Sequence, residues 1–127
     1  MAGTFSVEWL PGGVLLQRRS GMLTADQANS YVAAVKQAVK TAPARWGAVV
    51  DARNASVQNE DVQAIIQDLI RYVVAKNVKR VAIVTTSVVT GIQQKRITTA
   101  PGMHDPSTVA FYPDYDAALA DVRSALS

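Results

Sequence analysis

Two apolar runs decide the fold, Trp46-Gly47-Ala48-Val49-Val50-Asp51 and Arg80-Val81-Ala82-Ile83-Val84-Thr85. The second is the most β-branched stretch of the chain, which suits a central strand covered on both faces. The first, closed by an acidic residue, reads the same way. Between them Val62, Ile65, Ile66, Leu69, Ile70, Val73 and Val74 recur at three- and four-residue steps. That spacing predicts a helix from Ser56 or Asn59 to about Asn77, with Glu60 and Asp61 placed favourably for the helix dipole in its first turn. Arg53-Asn54-Ala55-Ser56 reads as the loop leaving the first strand. Strand, helix and strand in this order imply a right-handed parallel crossover.

Upstream, Phe5, Val7 and Trp9 alternate with Thr4, Ser6 and Glu8, the period of a half-buried strand. Pro11-Gly12-Gly13 supplies a turn, and Val14 to Arg19 resumes an extended pattern, so residues 4–19 read as a hairpin. Thr24-Ala25-Asp26-Gln27 has the spacing of a capping box. The helix it opens carries Ala28, Tyr31, Val32, Val35, Ala38, Val39 and Ala42 on one face and stops at Pro43. Downstream, Ser87 to Thr99 predicts a weaker helix, interrupted by Gly91 and polar at Gln93-Gln94-Lys95-Arg96. A loop over residues 101–106, a short strand over 108–112 and a helix capped by Asp114 and running through Leu126 complete the order. The expectation is one α/β domain over residues 1–127. An N-terminal β-hairpin leads into alternating β-α units, forming a mixed, mostly parallel sheet of about five strands with about four helices.

Composition fits that reading. The chain has 127 residues, 49% of them hydrophobic and 18% charged, with a net charge of +3. These values exclude intrinsic disorder and fibrous classes. Without cysteine there is no disulfide framework, thiolate nucleophile or Cys-based zinc site. Met1 to Glu8 shows no basic region followed by an apolar stretch, and no apolar run approaches a bilayer span, so the expected setting is the cytoplasm without integral membrane association. The isoelectric point is near 9.5. Its basic residues, however, fall in scattered pairs such as Arg18-Arg19, Lys79-Arg80 and Lys95-Arg96, without interleaved aromatics, which argues against nucleic acid as a partner.

No nucleophile elbow, phosphate loop or dinucleotide fingerprint is found in the sequence. The one histidine, His104, stands beside Asp105 in a loop, where a surface residue is the simpler account. An enzyme using His104 with Asp105 or Asp51 is therefore the least favoured reading, and no cofactor or metal is expected. In open α/β sheets, ligands lie beyond the carboxyl ends of parallel strands. That rule gathers Asp51, Arg53, Ser56, Thr85, Thr86 and Ser87 as a candidate anion or small-ligand site. Ser87 and Ser56 are equally well explained as helix N-caps.

The hairpin ending in Ser20-Gly21-Met22-Leu23-Thr24, the strand Ala48-Val49-Val50-Asp51 with its loop into a long helix, and the strand Val81-Ala82-Ile83-Val84 resemble the SpoIIAA-like, STAS/SEC14 group of small bacterial α/β proteins. The resemblance runs from about Phe5 to Leu126. It implies a non-enzymatic regulatory module with a protein partner, a homodimer, or both. Anti-sigma factor antagonists of this group carry a phosphorylatable serine, in a segment of the type Asp-Ser-Ser-Gly, at the start of the helix after the third strand. Aligning their strand-end Asp with Asp51 sets Asn59-Glu60-Asp61-Val62 against that segment, and none of these carries a hydroxyl. Glu60 or Asp61 imitates the phosphate charge, or simply complements the helix dipole. The SEC14 side of the resemblance implies an alternative, a carrier of a small apolar or amphipathic, lipid-like ligand under a gate at residues 88–99. Trp9, Trp46 and Tyr112 are candidates for a dimer surface if exposed.

Overall fold

The computed structural model describes residues 3–86 and 108–127. Five strands and three helices alternate along them: β1 (Thr4–Leu10), β2 (Val14–Gly21), α1 (Ala25–Val39), β3 (Gly47–Ala55), α2 (Glu60–Ala75), β4 (Val81–Val84), β5 (Val109–Tyr112) and α3 (Tyr115–Leu126). The strands form one sheet whose spatial order is their chain order. β1 and β2 are antiparallel, with Thr4 opposite Ser20 and Leu10 opposite Val14. Every other neighbouring pair is parallel.

Alternation along the strands divides the core in two. Leu15, Ala48, Val50, Val81 and Ile83 face α1 and α2, meeting Tyr31, Val35, Val62, Ile66 and Leu69. Val14, Leu16, Val49, Ala82 and Val84 face the other way, toward Ala118 and Val122 of α3. Helices on both sides are the reason β4 and the opening residues of β2 and β3 read as unbroken apolar runs. Gly47 marks the closest approach of α3, since a Cβ there would stand 2.5 Å from Val122 Cγ1.

Local chemistry sets the boundaries. Thr24 caps α1 through the expected box, its Oγ1 accepting the Gln27 N–H while Gln27 Oε1 accepts the Thr24 N–H. The helix ends at Val39, and a tightened turn of Thr41 to Ala38 and Ala42 to Val39 bonds carries the chain to Pro43. Asp114 caps α3 by accepting the Ala117 N–H. α2 ends at Ala75, with Asn77 in the left-handed region at φ 63°.

Two expectations need correction. Arg53-Asn54-Ala55 is not an exit loop but the last part of β3, because pairing with β2 resumes after an irregularity and sets Asn54 beside Ser20 and Ala55 beside Gly21. Ser56 is not a helix cap: its N–H donates to the Gly21 carbonyl, and Asn59 occupies the cap position of α2. The expected helix over Ser87–Thr99 and the His104-Asp105 loop lie outside the described residues. Among those described, no helix is long and apolar enough to cross a membrane.

Candidate functional site

The continuation of β3 brings Asp51 and Arg53 together on the α3 side of the sheet. Arg53 grips the carboxylate with two charge-assisted bonds, Nε to Oδ1 at 2.9 Å and Nη2 to Oδ2 at 2.8 Å, and its backbone N–H adds a third at 3.2 Å. Asp51 is 7% exposed. The Arg53 guanidinium holds its carboxyl below the usual carboxylate range, against the opposing effect of burial, and Arg18 adds a smaller pull in the same direction. Arg18 is the register partner of Asp51 on β2. Its Nε stands 3.7 Å from Oδ2, an ion pair beyond hydrogen-bond reach. Both guanidinium groups lie over the Tyr115 ring, Arg18 at 5.8 Å and Arg53 at 5.5 Å from the centroid.

The other expected members of the site are arranged differently. Thr85 follows Val84, the register partner of Asp51, and its N–H donates to the Tyr112 carbonyl. Thr86 comes next in the chain, and Ser87 lies outside the described residues. Ser56 belongs to a separate constellation at the end of α2, organised by Gln58, which is 3% exposed. Gln58 Oε1 accepts the Leu23 N–H at 2.8 Å, and its Nε2 donates to the carbonyls of Gly21 and Ser56. Gln63 Nε2 in turn donates to the Gln58 carbonyl. The segment entering α2 is thereby fastened to the turn between β2 and α1. On this scaffold Asn59, Glu60 and Asp61 are exposed. Met22 and Val57, the exposed large hydrophobics of the described residues, flank the same strand ends at 42% and 43% exposure.

The opposite face holds a buried polar trio. The Tyr31 hydroxyl donates to Gln17 Oε1, and the Arg19 guanidinium lies 5.8 Å from the Tyr31 ring centroid. Burial pushes the Tyr31 hydroxyl pKa up, with Arg19 acting in the other direction. The adjoining cavity, walled by Ile66, Leu69 and Val73, measures about 30 Å³. That is room for water. The gate expected at residues 88–99 lies outside the described residues.

Of the aromatics considered for a dimer surface, Trp46 is core. It is 2% exposed, donates from Nε1 to the Lys76 carbonyl and meets Trp9 edge to face at 5.9 Å. Trp9 is half-buried and donates to the Ala38 carbonyl. Tyr112 is half-buried, and burial first and then the neighbouring Asp121 raise its hydroxyl pKa.

Sequence reasoning missed Arg18, Tyr115 and Gln58. Strand alternation puts Arg18 on the α3 face, but only the β2–β3 register sets it beside Asp51. Gln58 was missed because the backbone groups it fastens at Leu23 and Gly21 are 35 and 37 residues away.

No protein-family model matches the chain, and no curated protein does. Solved structures do. An uncharacterised protein of the DUF3478 family with a SpoIIAA-like fold, from Shewanella loihica PV-4, is similar at TM-score 0.68 and 18% identity, over 95% of this chain and 94% of that one. The anti-sigma factor antagonist SpoIIAA in its unphosphorylated form is similar at TM-score 0.66 and 16% identity, over 94% and 98%. An anti-sigma factor antagonist from Mycobacterium paratuberculosis gives 0.65 and 19%, over 96% and 95%. The chain has the SpoIIAA-like fold, as its strand and helix order suggested.

Proposed function

We propose that this chain is a non-enzymatic regulatory module that binds a protein partner through the N-terminal end of α2. The observation that carries the reading is the pairing of a rigid support with an exposed, mixed surface. Gln58 fastens the segment from below, while Met22, Val57, Asn59, Glu60 and Asp61 face outward. Apolar anchors beside carboxylates suit a partner patch that is apolar with a basic rim. The likeness to two anti-sigma factor antagonists supports a regulatory role. Residues 59–62 are Asn, Glu, Asp and Val. On this reading docking at the site is constitutive, not switched by phosphorylation of the helix start. The cysteine-free chain suits work in the cytoplasm.

The test is site-specific photo-crosslinking in the native host, with the crosslinker at Val57 and a control at Arg123 on α3. The expected result is one defined adduct from position 57, absent from the control and lost when Glu60 and Asp61 are both replaced by Lys. The same adducts from both positions, or an adduct indifferent to the charge reversal, would refute the reading.

A further inference from the structure

α3 packs across β3, β4 and β5, so the same face of β1 and β2 is left open toward its upper end. There the surface is concave, enclosing about 250 Å³, a volume near the lower limit of small-molecule sites. Its floor is an ordered grid. Ser6, Arg18 and Asp51 are successive register partners across β1, β2 and β3, and Thr4, Ser20 and Asn54 form the next rank. With strands roughly 4.8 Å apart, each rank spans about 10 Å, the reach of a monosaccharide with one substituent. All six side chains are polar, and three of them are hydroxyls.

The charged groups on this floor are unequally engaged. Asp51 is buried, and both its oxygens are engaged by Arg53, which neutralises it locally. Arg18 contacts the same carboxylate at 3.7 Å and keeps its side chain 50% exposed. Asp114 also acts on Arg53, so the charges around the floor balance, but Arg18 is the guanidinium that stands beyond hydrogen-bond reach of Asp51, and it is the more exposed of the two, at 50% against 41%. A solvated sheet face also tends to be polar, but that tendency accounts for neither the concavity nor the Arg18 guanidinium held over Tyr115.

We propose that this grid binds a phosphate monoester of a small polyhydroxylated compound, the phosphate on Arg18 and the hydroxyls on Thr4, Ser20 and Asn54. Arginine presents a planar fork suited to two phosphate oxygens, and serine, threonine and asparagine both donate to and accept from sugar hydroxyls. The grid shares no residue with the α2 surface, so either assignment stands if the other fails.

The experiment is a series of amide proton–nitrogen NMR titrations of the full chain at low ionic strength, with glucose 6-phosphate, orthophosphate and glucose as probes. Glucose 6-phosphate is expected to move the amides of Ser6, Arg18, Ser20 and Asn54 saturably, at an affinity about tenfold or more above that for orthophosphate. Glucose alone is expected to move none of them. Arg18→Gln should weaken binding by about tenfold or more, as loss of a charge-assisted contact does. Ser6→Asp, at an exposed edge position that tolerates change, should abolish binding by placing a carboxylate beside Arg18. Equal affinity for orthophosphate and the sugar phosphate, shifts that bypass these amides, or variants that bind like the wild type would each overturn the proposal.

Discussion

Gln58 Oε1 accepts the backbone N–H of Leu23 at 2.8 Å, joining the segment before α2 to the turn before α1 across 35 residues of chain. The same side chain donates to the carbonyls of Gly21 and Ser56. One buried amide thus ties together three backbone groups from two separate segments, reinforcing at Gly21 a carbonyl that also accepts the Ser56 N–H.

Replacing Gln58 by Leu keeps the bulk and removes all three bonds. The buried Leu23 N–H then lacks an acceptor, and such a group costs about 1–3 kcal/mol. Urea denaturation is expected to show a loss in that range. Hydrogen exchange at Leu23 and along residues 56–60 should accelerate beyond the global effect, because the segment entering α2 loses its anchor. Uniform acceleration over the whole chain would contradict the anchoring role.

Asp51→Asn breaks the two-pronged pair with Arg53. Arg53 is 41% exposed, so solvent screens part of the interaction and the expected cost at neutral pH is about 1–2 kcal/mol. Its pH dependence has a definite sign. The carboxyl titrates below its ordinary value of 3.8 in the folded state. Its contribution is therefore complete above that value and is lost as pH falls through the lower, folded pKa. Denaturation curves of the two proteins should differ at neutral pH and converge in strong acid. A difference that persists there would contradict the ion-pair account.

Tyr31→Phe leaves Gln17 Oε1, at a residue only 3% exposed, without its hydroxyl donor. The expected loss is about 1–3 kcal/mol with little change in packing. In the wild type, Tyr31 should resist ionisation through the ordinary tyrosine range, since burial raises its pKa. A folded-state pKa raised above the unfolded value means that stability falls as pH rises past the unfolded value, near 10.0. Spectrophotometric alkaline titration checks both points. A Tyr31 that ionises normally while the protein stays folded would contradict them.

Gly47→Ala forces a methyl to within 2.5 Å of Val122 Cγ1 and 3.1 Å of the Arg80 carbonyl oxygen. Overpacking of this kind costs about 1–3 kcal/mol. Adding Val122→Ala should recover part of that loss, so that the double variant is more stable than the two single losses add up to. Strict additivity in thermal or chemical denaturation would place the clash elsewhere.

The elements legible in the sequence were those defined by neighbours along the chain. The Thr24 and Gln27 box, the Asp114 cap, the alternation of Phe5, Val7 and Trp9, and the step pattern of α2 each mapped onto an observed feature. Arg53 and Asn54 misled because two polar residues after a strand look like a loop. What keeps this segment extended is the pairing of Asn54 with Ser20 and of Ala55 with Gly21, on a partner strand more than thirty residues earlier. The candidate site divides the same way. Asp51 with Arg53 was visible because they are two residues apart. Arg18, Tyr115 and Gln58 depend on register and packing, which no local pattern encodes.

The sheet lists its strands in the order in which a ribosome makes them. A nascent chain can close the β1–β2 ribbon first and add β3 and β4 to an edge already formed, with no early segment waiting for a distant one. Such growth keeps loop closure short and suits folding during synthesis. The exception is the layer of Val49, Ala82 and Val84, whose partners among the described residues include Ala118 and Val122 of the twelve-residue α3, made after every strand. Emergence of α3 is therefore the moment at which these contacts can close, and a chain stalled before Asp114 would lack them.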